Sequence, residues 1–470
     1  MIKKFIEKYG LRDVIRFSIT LIIYILWVIW LGNYWFLLGL PIIFDIYLSK
    51  KVNWTPWKKR GVKNHWLIEW LDALIFAVVA VTIINIFLFQ NYKIPTGSME
   101  KSLLIGDHLY VSKVAYGPRI PETPLSIPFM QHTIPGTDAK SYVEWIKLPY
   151  KRLAGLTKVK RDDPIVFNFP AGDTVCREKE LQSVSYYYIV RAEAERLKLL
   201  DQYANQPLKS DHEYYLLGRK EVWRKHDILV RPVDKRDNYI KRCVAIPGDT
   251  LQVISGVVYV NGQRQKVIPG IQYDFAVSIE GRRLNEKRLT DLGISPEDIS
   301  YNANNTIMQV PLTDALADEL QKNRQVRGLE ILIRQPDYYD NKMFPHDSRF
   351  QWNLDYFGPI YIPKKGATID ITLDNLPLYE RIIDYYENND LEIKDSVIYI
   401  NGKPSNQYTF KMDYYWMMGD NRHHSLDSRY WGYVPEDHIV GKPRFIWLSL
   451  NRDKPFPANI RLKRMFHGIK

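Results

Sequence analysis

The chain has 470 residues, 46% of them hydrophobic and 25% charged, a balance ordinary for globular material plus a few membrane segments. Its formal net charge is +12, but the surplus sits at the ends: residues 1–66 carry eleven Lys/Arg against Glu7, Asp13 and Asp45, and residues 451–470 carry six against Asp453. The long middle is close to neutral, which fits membrane topology and excludes a nucleic-acid groove.

The first apolar stretch, Phe17 to Phe44, follows Lys3, Lys4, Lys8, Arg12 and Arg16 and precedes Lys50, Lys51, Lys58, Lys59, Arg60 and Lys63. Both flanks prefer the cytoplasm. A single span would put one of them outside, whereas a hairpin turning at Gly32-Asn33-Tyr34 keeps both inside with short arms, and the hairpin is the favoured reading. The stretch is too long, and lacks a small-residue site after it, for a cleavable signal peptide. A second stretch, about Leu67 to Phe89, carries Glu69 and Asp72 at its start and an uninterrupted apolar core from Ala73 to Ile84, long enough to span. Residues 1–90 therefore read as a membrane anchor that releases the chain on the outer side.

Directly after the anchor comes Ile94-Pro95-Thr96-Gly97-Ser98-Met99, then Gly106-Asp107-His108-Leu109-Tyr110-Val111-Ser112-Lys113. Residues 116–150, rich in Pro and aromatics, read as surface loops, and a helix is expected from about Val184 to Leu200. Lys241 lies in Tyr239-Ile240-Lys241-Arg242-Cys243-Val244-Ala245-Ile246-Pro247-Gly248-Asp249. Alternating runs 251–254 and 257–260 lead into Asn261-Gly262, a hairpin signal. Gly366-Ala367-Thr368-Ile369-Asp370-Ile371 and Val397-Ile398-Tyr399-Ile400-Asn401-Gly402 echo this segment, suggesting a weak duplication around an insertion at 264–360. Within that insertion Thr313 is placed to cap a helix reaching Asn323, with Leu316 and Leu320 on one face.

A serine hydroxyl is a poor nucleophile at neutral pH and needs a base within hydrogen-bond reach, either His or an uncharged Lys amine. For lysine the reference pKa of about 10.4 must fall by roughly 2 to 3 units, which burial beside residues such as Ile240, Val244 and Ile246 can achieve. A third segment sharpens the reading: Met418-Gly419-Asp420-Asn421-Arg422-His423-His424-Ser425-Leu426-Asp427-Ser428-Arg429-Tyr430-Trp431-Gly432. Its adjacent histidines offer a Ser-His-Asp alternative with Asp427, which the contexts of Ser98 and Lys241 outweigh.

These four motifs, in this order after an anchor, resemble bacterial type I signal peptidase over about residues 66–263 and 395–450. The resemblance implies a mainly β fold: transmembrane helices at the N-terminus, a β-rich Ser/Lys catalytic domain over 91–263 and 361–450, a large α/β insertion at 264–360 and a basic tail at 451–470. It implies Ser98 as nucleophile, Lys241 as general base, Thr96 with the Ser98 backbone N–H as oxyanion hole, Ser425 orienting the lysine, and Asp427 with Arg429 as a supporting pair. Ile94, Met99, Leu103, Tyr239 and Ile240 would line one shallow substrate pocket, with Tyr92 and Ile240 reaching a second. The expected partners are secretory preproteins bearing signal peptides and the lipid bilayer, at the bacterial inner membrane with the catalytic domain on the periplasmic side.

The chain departs from the family pattern at Glu100-Lys101-Ser102, at Ala245 and at His423-His424 without losing a catalytic group. Rival readings are a self-cleaving repressor with the same dyad, which would need a DNA-binding domain and no anchor, and an inactive membrane-tethered scaffold carrying a relic dyad. Cys176 and Cys243, the only cysteines, could form a disulfide in an outside-facing domain or simply pack. No zinc spacing and no phosphate-binding loop occurs, so neither metal nor cofactor is expected.

Overall fold

The computed structural model describes residues 2–58, 63–178, 180–181, 184–281, 283–452 and 454–469; Lys59 and Arg60 of the basic flank lie outside them. Two helices are long and apolar enough to cross a membrane, Leu11–Leu31 and Trp66–Phe87. Gly32 ends the first in the left-handed region at φ 63° and reverses the chain. The return arm, Tyr34–Ser49, is helical, and at 1.5 Å per residue it is only about 24 Å long. Lys50 pairs with Asp13 at 2.5 Å across the open end, and Phe17 meets Phe44 edge-on between the arms. The tip is fastened to the domain beyond it: Trp30 Nε1 donates to the Ala154 carbonyl at 3.0 Å and Lys151 Nζ to that of Leu31 at 2.8 Å.

Strand Phe89–Lys93 leaves the second helix after one residue and opens an antiparallel sheet. Across the sheet follow Asp107–Ser112, Ile439–Ser449, Pro164–Asn168, Asn238–Ala245, Tyr414–Met418 and Val434–Pro435. Asp107–Ser112 shows the alternation that makes a strand: Leu109 and Val111 are fully buried while His108 and Tyr110 are only partly so. The architecture is thus mainly β, with the apolar helices at the N-terminus.

The insertion is smaller than the 264–360 expected from sequence. A compact lobe is built from Gln272–Ile279, Ile307–Thr313, Val326–Ile331 and Ser300–Tyr301, with helices Glu286–Asp291 and Asp314–Gln321. Its core, including Val277, Leu289, Met308 and Leu312, comes entirely from its own residues. Thr313 caps the second helix, accepting from Leu316 N–H at 3.3 Å. Phe357–Tyr361 already pairs with Thr250–Ile254, because burying Phe357 and Ile360 against Trp416 and Tyr433 belongs to the main core.

Two similar meanders stand where the sequence suggests a duplication, in a register that differs from the sequence reading. Thr250–Ile254, Val257–Val260 and Gln263–Arg264 form a three-stranded meander, and Leu391–Lys394, Val397–Ile400 and Lys403–Pro404 form another. Asn261-Gly262 and Asn401-Gly402 both turn with φ positive at both positions. Asn261 Oδ1 accepts from Thr250 N–H at 2.8 Å, and Asn401 Oδ1 from Asp390 N–H at 2.9 Å. The first strand of the second copy is therefore Leu391–Lys394; Thr368–Asp370 pairs elsewhere, with Gln407–Thr409.

The helix expected at 184–200 runs Tyr186–Tyr203 and packs on a second, Asp211–Lys225, that the sequence reading did not place. The basic segment after 450 is docked and does not trail as a tail: Arg464 pairs with Asp107 at 2.7 Å, and Arg461 Nη1 donates to the Ile105 carbonyl at 2.9 Å. Both cysteines are buried free thiols in separate clusters.

Candidate active site

Ser98 sits in a single 3-10 turn, Gly97–Met99, between the first two strands. Met99, Leu103 and Ile94, each at most 2% exposed, fix this turn by packing with Leu109 and Val111. Lys241 lies mid-strand in Asn238–Ala245, four-hundredths exposed, and its Nζ donates to Ser98 Oγ at 2.5 Å. Burial pushes the amine down to about 8, against the opposing pull of Asp427 and Asp420. A hydroxyl in direct contact with an amine that readily gives up its proton is the geometry of base-assisted nucleophilic attack.

The 419–429 segment closes the site from the other side. Asn421 N–H donates to the Ser98 carbonyl at 3.2 Å, and a Cβ on Gly419 would lie 2.5 Å from that same oxygen, so glycine is required there. Ser425 is brought to this point, its Cβ also crowding Gly419, but its buried hydroxyl has no hydrogen-bond partner among the described residues and does not hold the Lys241 amine. Asp427 and Arg429 form a fully buried pair, Nε to Oδ1 at 2.9 Å and Nη2 to Oδ2 at 2.8 Å. Burial raises the Asp427 carboxyl, but Arg429 and the Gly419 N–H outweigh it and hold the group below its ordinary range. Thr96 is exposed at the head of the Ser98 turn, with no capping bond from its side chain.

The apolar set divides. Tyr92 and Ile240 pack with Ile94, Met99 and Leu103, whereas Tyr239 belongs to the neighbouring cluster, stacked on Phe169 at 4.4 Å with its ring 5.7 Å from the Lys241 amine. The Ser-His-Asp alternative has no geometry: His423 and His424 bond to Asp355 and Asp274, and Asp427 is engaged by Arg429. Sequence reading gave no role to a second buried ion pair, Arg242 Nε to Asp420 Oδ1 at 2.7 Å and Nη2 to Oδ2 at 2.6 Å, which Ser102 Oγ joins at 2.5 Å. The dense motifs around both residues were visible, but nothing local ties positions 178 apart. Among the described residues no group of His, Cys, Asp and Glu is arranged to hold a metal.

The family model of signal peptidase, peptidase S26, matches residues 67–362 and 406–448. This chain belongs to that family. The match takes in the Ser98 turn, the lysine strand and the 419–429 segment, and it passes over 363–405, which holds the second meander. The signal peptidase I of Haemophilus influenzae is 25% identical over 408 residues, 86% of this chain and 76% of the relative. That of Buchnera aphidicola subsp. Schizaphis graminum is 24% identical over 402 residues, 84% and 80%. A shorter match, 48% over 52 residues, joins 11% of the chain to 17% of the signal peptidase I of Buchnera aphidicola subsp. Baizongia pistaciae. The chain is accordingly a serine peptidase of the type I signal peptidase class, not a self-cleaving repressor.

Proposed function

We propose that this peptidase is a membrane-bound endopeptidase that cleaves signal peptides from translocated preproteins after small residues, through an acyl-enzyme formed on Ser98. The observation that carries the reading is the 2.5 Å contact between Lys241 Nζ and Ser98 Oγ with the amine depressed to about 8. Neutral Lys241 takes the Ser98 proton as Oγ attacks the scissile carbonyl, and the resulting ammonium gives that proton to the leaving amine. Thr96 Oγ1 and the Ser98 N–H face the developing oxyanion; Ser425, by a rotation of its free hydroxyl, orients the amine when substrate is bound. Asp427–Arg429 and Arg242–Asp420 hold the 419–429 segment in place. Ile94, Met99, Leu103, Tyr92 and Ile240 shape shallow apolar subsites, and Tyr239 flanks the lysine.

Three features support a multi-pass topology with the catalytic domain on the periplasmic side of a bacterial inner membrane. The helices Leu11–Leu31 and Trp66–Phe87 are long and apolar, basic residues cluster before each of them, and the hairpin tip is bolted to the catalytic domain at Ala154 and Lys151. Holding Ser98 about ten residues beyond the second helix presents it to a substrate that is itself membrane-held, raising effective concentration. The deciding experiment is cleavage of a synthetic preprotein, with Ala at the first and third positions before the scissile bond, by detergent-solubilised protein. Wild type should cut at that site, and Ser98→Ala and Lys241→Ala should not; cleavage surviving either substitution sinks the dyad. Thr96→Val should lower kcat by about 10²-fold with KM little changed.

A further inference from the structure

The departures from the family pattern at Lys101-Ser102 and His423-His424 are where the 272–331 lobe meets the active site. On the Ser98 side, Lys101 Nζ donates to the Gly293 carbonyl of the lobe, and Ser102 packs so closely on Gly270 that a Cβ there would collide with its hydroxyl. On the other side the lobe's first strand is stitched to the 420–422 segment: Gln272 N–H donates to the Asp420 carbonyl at 2.9 Å and Arg422 N–H to that of Gln272 at 3.0 Å. Arg422 Nη2 reaches Gln265 Oε1 at 2.9 Å. The same short segment touches the Ser98 carbonyl through Asn421 and the lysine strand through Asp420. The lobe therefore grips both halves of the site.

His423, its side chain only 5% exposed, is the joint of this attachment. The backbone N–H of Asp274 donates to its Nδ1 at 3.0 Å, which makes Nδ1 the acceptor and Nε2 the protonated nitrogen; Nε2 then donates to Asp355 Oδ1 at 2.8 Å. Asp355 is fully buried and tied to the other strap of the lobe, accepting from Arg334 N–H at 3.0 Å. A side chain locked at both ring nitrogens, at Nδ1 on the lobe's first strand and at Nε2 on Asp355, which in turn holds Arg334 just beyond the lobe's last strand, fixes the backbone of 421–425 relative to the lobe. We propose that the lobe is a positioning element for the Ser98–Lys241 centre and that His423 is the positioning residue through which it acts. The inference rests on the reading of that centre as the hydrolytic one.

The test uses the full chain in detergent and a signal-peptide substrate with Ala at both recognition positions, with kcat, KM and the melting transition measured for each variant. His423→Phe, which keeps the ring and loses both bonds, should lower kcat about tenfold with KM within twofold. His423→Gln, whose amide supplies one acceptor and one donor, should retain kcat within about threefold. Asp355→Leu should match His423→Phe, and the double variant should be no worse than either single one, as expected for two ends of one link. Unchanged kcat in His423→Phe, a rise in KM alone, a loss that merely tracks the folded fraction, or additive losses in the double variant would each overturn the proposal. If His423→Phe does not fold, the Gln and Asp355→Leu variants decide. Failure of the underlying reading shows separately, as turnover that survives Ser98→Ala.

Discussion

Lys241 and Arg242 are consecutive on one strand and both nearly sealed from water, yet they sit in opposite electrostatic regimes. On one face the lysine meets a hydroxyl and, among the described residues, no carboxylate within hydrogen-bond reach, so burial drives its amine down to about 8. On the other face the arginine spreads two nitrogens over Asp420, and although burial opposes its charge, the carboxylate raises its pKa above the ordinary guanidinium value. The difference teaches that burial alone does not set protonation here; a bidentate carboxylate cancels it and a hydroxyl does not. The chain separates a depressed amine from a stabilised guanidinium at the pitch of one residue.

The contrast is broken most severely by putting a permanent cation on the wrong face. Lys241→Arg cannot give up a proton and should lose at least about 10⁴-fold in kcat, measured on the peptide substrate. Next, breaking the other buried ion pair should cost stability: Asp427→Leu leaves Arg429 buried and uncompensated, with a loss of about 3 to 5 kcal/mol by denaturant unfolding. The converse substitution on the other face should stabilise. Because the Lys241 pKa is depressed from about 10.5 to about 8, the unfolded chain binds more protons than the folded one between those values, so folding stability rises with pH across that window. Lys241→Met should thus be about 3 kcal/mol more stable than wild type at pH 7, the gain vanishing above pH about 10.5. The same depression sets the acid limb of kcat/KM, which should fall tenfold per pH unit below about 8. The mildest effect is expected far from both faces: Gly402→Ala, at φ 75° in the second meander, should cost about 1 to 2 kcal/mol and leave kcat unchanged.

The meeting of Ser98 with Lys241 was legible because both stand in short dense strings, and because a serine and a lysine each need a particular neighbourhood. Asp420 and Arg242 stood inside those strings, but their partnership is a product of the sheet that sets Tyr414–Met418 beside the lysine strand. The second helix of the 186–225 pair could have been found from Ser210 and Glu213, which form a full capping box. The misplaced register of the duplication has a physical origin. The position of Gly248, at φ 94°, is filled in the second meander by Asn388 at φ 51°; asparagine tolerates that conformation, so Gly366, also at positive φ, is a misleading signal. The lobe's own helix cap was readable at Thr313, while its attachment to the active site was not, since His423 finds its partners 149 and 68 residues away.

The docked basic end of the chain has a temporal implication. Ser98 Oγ and Lys241 Nζ are 143 residues apart in sequence, Ser102 and its partner Asp420 318, and Arg464, which braces both Asp107 and the Ser102 carbonyl, lies 357 beyond Asp107. Contacts of such long sequence separation form late, after the local helices and hairpins have already taken shape. During synthesis, the apolar helices at the front would be in place while the braces of the Ser98 turn were still being made. A turn braced by contacts of such long sequence separation becomes rigid only when the sheet around it closes, so the Ser98–Lys241 contact and its braces should be acquired together and not one at a time.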